Sequence, residues 1–256
     1  MNDRRLFLQL LGVAILNCLS SRYNTALAAS SFKKDLSFYA GRAGRFGYEE
    51  TPTVIVGGLL ATNDVTVKLE SKLEKIAQEM KFHVPLHFST NKYNLEFYKE
   101  AIKAVFLTPE VTFSGFRVSH KNWPKEPAVW EYWRQELETN IFSQVIKDKH
   151  LRIYTLKHDF NSDKRIYRSV KEVLPNLSDV TIYETANSSP RLMQLSGVLA
   201  KCLNSQERLS AKDAPYIKNG NHLKNALVRE TFSAFDISRI NEDIVKDSLV
   251  IKNITI

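Results

Sequence analysis

Apolar and polar residues alternate from Leu36 to Ala40, with Leu36, Phe38 and Ala40 on one side and Ser37 and Tyr39 on the other. A short β-branched run follows at Val54, Ile55 and Val56. Alternation with period two marks a strand, and β-branched side chains suit its pleated surface. Between the runs, Gly41, Gly44 and Gly47 allow positive φ or a close approach of the backbone. The stretch from Tyr39 to Ala61 therefore predicts a hairpin with an exposed glycine-rich loop. The period then changes. Asn63-Asp64 can cap a helix in which Leu69, Leu73, Ile76, Ala77 and Met80 share one face. His83 to Ser89 reads as an extended connection, because Pro85 is excluded from a helix interior. A second helix is expected from about Asn94 to Phe106, stopped by Pro109, and then a strand over Val111 to Val118, interrupted at Gly115.

Trp123 to Pro127 is a turn leading into the longest helix, where Trp130, Trp133, Leu137, Ile141 and Val145 recur at helical spacing and read as core. Leu151 to Leu156 is a strand, a helix follows from about Ser162 to Val173, and Val180 to Tyr183 is a further strand. Ser189-Pro190 reads as a helix start, serine at the cap and proline in the first turn, with Leu192, Leu195, Leu199 and Cys202 along one side. Residues 205–221 are polar and contain Pro215 and Gly220, which marks a surface loop. A helix from about His222 to Phe235 and an apolar strand from Leu249 to Ile256 complete the pattern. A hairpin followed by helices alternating with single strands predicts an α/β fold with a mixed sheet.

Residues 1–28 stand apart from this pattern. Arg4-Arg5 precede a run from Leu6 to Leu19 that is apolar except for Gln9, Gly12 and Asn17, and Ala26-Leu27-Ala28 offers a small-x-small cleavage site. This is the layout of a secretory signal peptide. The paired arginines, followed by Phe7 and Leu8, resemble a twin-arginine export signal, with the general secretory route as the alternative. The apolar run is shorter than the about 18 to 20 residues that span a bilayer, so no permanent anchor is expected and the destination is the periplasm or the exterior. The remaining chain, residues 29–256, is expected to form one domain. The whole chain carries a formal net charge of +8, and the leader holds three arginines and one aspartate, so the remainder keeps +6, two fewer. That balance suits loose attraction to an anionic ligand or an acidic partner surface. Only Cys202 remains after cleavage of the leader, which excludes an intrachain disulfide.

The hairpin and three later blocks resemble a bacterial family known as domain of unknown function 3800. The blocks are Tyr39 to Gly47 with Val56-Gly57-Gly58-Leu59, Pro85 to Ser89, the strand Leu151 to Leu156, and Leu192 to Ala200. The resemblance covers about residues 36–235 and implies a ribonuclease H-like fold. It also implies a metal-dependent phosphodiesterase site, in which carboxylates hold two divalent cations about 4 Å apart. This chain departs from that pattern at the acidic positions. Where the family carries Asp-Glu-Ser-Gly, Gly41-Arg42-Ala43-Gly44 stand here; the glutamate of the second block falls on Pro85 and the aspartate of the helix block on Gly197. A mid-helix glycine costs about 1 kcal/mol against alanine, and close packing on the sheet would be a reason for it.

Arginines at 42 and 45 oppose a cation and favour an anion, so no cofactor is expected. The anticipated cleft residues are Arg42, Arg45, His87 and Gln194 from the blocks, the last also able to tie the hairpin loop, and Asp159 and Glu184 from the ends of strands, where sites of α/β folds lie. The expectation is an exported, non-catalytic binding or interaction protein. Interleaved aromatic and basic residues at Tyr39, Arg42, Arg45, Phe46 and Tyr48 also suit nucleic acid, which is not favoured outside the inner membrane. The alternative is a metal-dependent nuclease or phosphodiesterase with relocated ligands among His83, His87, Asp159 and Glu184; Pro85 excludes a helical His-x-x-x-His zinc face. An envelope structural protein is a third possibility. There is no Gly-x-Ser-x-Gly elbow and no phosphate-binding loop, and Cys202 on an apolar helix face reads as inert.

Overall fold

The structure, a computed structural model, describes residues 35–44, 53–88, 95–119, 151–156, 177–183, 188–206 and 221–255. Within them β1 (Leu36–Ala43), β2 (Thr53–Thr62), β3 (Thr112–Ser119), β4 (Leu151–Leu156), β5 (Leu177–Tyr183), β6 (Ile244–Lys246) and β7 (Leu249–Thr255) form one sheet, ordered β5-β4-β1-β2-β3-β7-β6. The helices are α1 (Asn63–Glu79), α2 (Leu95–Phe106), α3 (Arg191–Asn204) and α4 (Asn221–Ala234). Strands β1, β2 and β3 are an antiparallel meander, and β4 and β5 continue in parallel beside β1. That order is ribonuclease H-like: an α/β mixed sheet flanked by helices and opened by a β-hairpin. Strand β7, parallel to β3, and the short β6 extend the far edge.

Strand β1 lies inside the sheet, with a neighbour on each side and both faces covered. Its alternation therefore does not separate core from solvent: Ser37 is 1% exposed and Tyr39 is 5% exposed. Positions Tyr39, Gly41 and Ala43, with their partners Leu59, Gly57 and Ile55 on β2, face the helices. Phe113 and Gly115 on β3 and Leu249 and Ile251 on β7 continue that face. Helix α3 runs over β1 and β2 with α1 and α4 beside it, and its Leu195, Leu199 and Cys202 have no exposed surface. Burying a leucine fully is worth about 1.5–3 kcal/mol, so this one helix contributes much of the core.

Several local expectations change. Strand β3 is not interrupted at Gly115 but runs through it, because Gly115 stands directly opposite Gly57; a Cβ on either would come within 2.7 Å of the other's Cα. Strand β2 likewise extends to Thr62, well beyond its β-branched run, and Asn63 is the first residue of α1 rather than its cap. Met80 lies past the end of α1 and is exposed. The expected helices over Trp130 to Val145 and Ser162 to Val173, most of the 205–221 loop, the hairpin tip and the leader lie outside the described residues. No helix among the described residues is long and apolar enough to cross a membrane.

Candidate functional site

Helix α3 gathers the polar groups of the helix-covered face. Ser189-Pro190 does precede it, but no side chain of the cap position bonds its first turn. The cap comes from α1 instead: the Glu70 carboxylate accepts the Arg191 N–H at 3.1 Å on one oxygen and the Leu192 N–H at 2.7 Å on the other. Burial pushes Glu70 up to about 7, against the pull of these two N–H donors, and the neighbouring Glu74 pushes the same way. The Arg191 side chain is near enough to favour the Glu70 charge but makes its bonds elsewhere. Its Nε donates to Glu74 at 3.0 Å and its Nη1 to the Val84 carbonyl at 2.8 Å, with the guanidinium carbon 5.4 Å from the centre of the Phe82 ring.

One turn further on, Gln194 fixes the extended segment. Its Oε1 accepts the Leu86 N–H at 2.7 Å and its Nε2 donates to the Ser189 carbonyl at 2.8 Å. Among the described residues, the tie goes to the 82–88 connection. Tyr98 on α2 completes the clamp: its hydroxyl accepts the His87 N–H at 2.7 Å and donates to the His87 carbonyl. With its backbone held in this way, the segment leaves the His83 and His87 side chains exposed. Among the described residues, no three histidine, cysteine, aspartate or glutamate side chains gather as a metal site.

Of the two glycines that stand where the family carries aspartates, Gly41 packs closely against α3 and Gly197 does not. A Cβ at Gly41 would come 2.5 Å from the Ser196 carbonyl oxygen and 2.7 Å from the Ser196 hydroxyl, so α3 occupies the space a side chain on β1 would need. Ser196 is fully buried, and its hydroxyl has no hydrogen-bond partner. The close packing anticipated for Gly197 is therefore made one residue earlier. A Cβ on Gly197 would meet nothing within 4 Å, and nothing in the structure explains that glycine.

No family model matches the chain, and no curated protein does.

The anticipated cleft is divided by the sheet. Gly41 faces α3, so Arg42, the next residue of β1 and the partner of Val56, belongs to the opposite face from Gln194. His87 lies on the helix-covered side with Gln194, through the shared 82–88 segment. Arg45, Asp159 and Glu184 lie outside the described residues. Cys202 is fully buried among apolar side chains, and burial pushes its thiol up to about 12, as an inert thiol requires.

The sequence reading missed a cluster beside Glu70. Tyr39 on β1 stacks on Tyr154 of β4, and Tyr183 of β5 shares their face, because its registered partner Leu156 lies two residues beyond Tyr154. The Tyr39 hydroxyl is within hydrogen-bonding reach of Thr66, and burial pushes it up to about 12. Tyr183 is also raised, first by burial and then by Tyr154 and Glu70 nearby. Each tyrosine sits in an ordinary strand pattern; only the register of three parallel strands puts them side by side. The cluster offers ring faces, phenol hydroxyls and one carboxylate, a set suited to binding.

Proposed function

We propose that this protein is an exported, non-catalytic ribonuclease H-like binding module, built like the domain of unknown function 3800 it resembles, and that its ligand or partner is anionic. The observation that carries this reading is the closed space at Gly41. A two-cation site needs carboxylates converging from the sheet and the helix. At the position of β1 where the resemblance calls for an aspartate, the α3 backbone stands 2.5 Å from where its Cβ would be. Export rests on Arg4-Arg5, the apolar run and Ala26-Leu27-Ala28. The anionic ligand rests on the net charge of +6 that remains without the leader, and on Arg42 near the end of β1 with Arg45 three residues further along the sequence.

The test has two arms on the protein beginning at Ala29. Titration with Mg²⁺, Mn²⁺ and Zn²⁺, followed by calorimetry and thermal melting, is expected to show no saturable binding; a rise in melting temperature that tracks occupancy would favour the hydrolase instead. Inorganic polyphosphate serves as the anionic probe. The double variant Arg42→Glu, Arg45→Glu is expected to bind it about tenfold more weakly at low salt, and unchanged binding would remove the anionic reading.

A further inference from the structure

The tyrosine row on the helix-covered face plays no part in the anion reading, which rests on the opposite face. Tyr39 and Tyr154 are registered partners on β1 and β4, and their rings stack with centroids 4.6 Å apart and planes 8° from parallel. That separation matches the spacing of neighbouring strands, roughly 4.8 Å, so the ladder advances one ring per strand. The next strand outward is β5, the last of the sheet among the described residues, and the partner of Tyr154 there is Thr181. A threonine is too short to cover a phenol ring. Tyr154, Thr181 and Tyr183 are each only half-buried, and among the described residues the one ring stacked on Tyr154 is Tyr39. The ladder thus has two rings and a third place occupied by a small side chain, with Tyr183 flanking it.

The surrounding charges narrow what fits. Tyr154 and Tyr183 border the place, Tyr39 lies behind Tyr154 on the inner side of the ladder, and the carboxylate of Glu70, with Glu74 next to it, is near enough to act on Tyr183. Arg191, the cation beside Glu70 among the described residues, is committed to Glu74 and to the carbonyls of Phe82 and Val84. Glu70 spends one lone pair of each oxygen on α3, which leaves the others as acceptors. An anionic ring would be repelled, and a ring with N–H donors would be matched.

We propose that this is a binding site for a planar heteroaromatic ring, uncharged or cationic and bearing N–H donors, which stacks on the outer face of Tyr154 above Thr181. The ring takes the third place of the ladder and turns its N–H edge toward Tyr183 and Glu70.

Guanosine is the probe, followed by calorimetry and ligand-observed NMR. The protein is expected to bind it saturably. Tyr154→Leu should weaken binding about tenfold, whereas Tyr154→Phe should keep it within about threefold, since base stacking on a ring carries the affinity. Thr181→Tyr, which places the chain's own ring in the third position, should abolish binding while the melting temperature holds or rises. Guanosine 5′-monophosphate should bind more weakly than guanosine. Absence of guanosine binding, or binding unaffected by Thr181→Tyr in a folded variant, would overturn the proposal. So would a loss of guanosine binding on Arg42→Glu, which would put the ring on the other face.

Discussion

Replacing Glu70 with glutamine tests which force sets the charge at the start of α3. Burial disfavours the carboxylate, while two backbone N–H donors and the positive end of a helix favour it. With an ordinary value of 4.5 in the unfolded chain and about 7 in the folded one, burial wins. The folded state then binds the proton more tightly than the unfolded state, so stability from this group is full below pH 4.5 and is lost as pH rises through 7. At roughly 1.4 kcal/mol per pH unit, the loss is about 3 kcal/mol. Glutamine cannot titrate, and its single oxygen serves only one of the two N–H groups. That imposes a pH-independent cost of about 1–3 kcal/mol. The stability of the glutamine variant relative to the parent should therefore improve by about 3 kcal/mol between pH 4 and pH 8. For a domain of this size, about 10 °C of relative melting temperature is expected. Urea unfolding of both proteins at a series of pH values measures it, and the difference cancels other titrating groups. A gap that widens against glutamine as pH rises would show that the N–H donors and the helix end outweigh burial, and would refute the reasoning.

Two glycines should respond in opposite directions to the same change. Gly41→Ala drives a methyl into the Ser196 carbonyl and should cost about 1–3 kcal/mol, whereas Gly197→Ala meets nothing and should gain about 1 kcal/mol of helix propensity; thermal melting compares them. Gln194→Leu orphans the Leu86 N–H and should lose about 1–3 kcal/mol, with faster amide exchange over residues 82–88. Cys202, raised to about 12 by burial, should resist a thiol reagent at pH 8 in the native protein and react only on unfolding.

Periodicity along the chain was enough for the elements whose residues decide their own conformation. Leu69, Leu73 and Ala77 mark the buried stripe of α1, Leu192, Leu195 and Leu199 that of α3, and Pro85 the extended segment, all from short-range rules of pitch and of proline's fixed φ. A mixed α/β sheet was legible because a hairpin followed by single strands and helices leaves few ways to pair, while the ribonuclease H-like order was expected only from the family resemblance. β6, three residues long, has no period to read. What depends on partners far along the chain was decided only by the tertiary structure. Ser189 reads as a cap, yet the first turn of α3 bonds to Glu70, 121 residues from Arg191. Gly115 reads as a break, but Gly57 opposite makes it a close approach. Arg42 and Gln194 read as one cleft, and the pleat of β1 sets them on opposite faces. The tyrosines of β1, β4 and β5 meet because register, a property of the whole sheet, aligns residues that no local pattern connects.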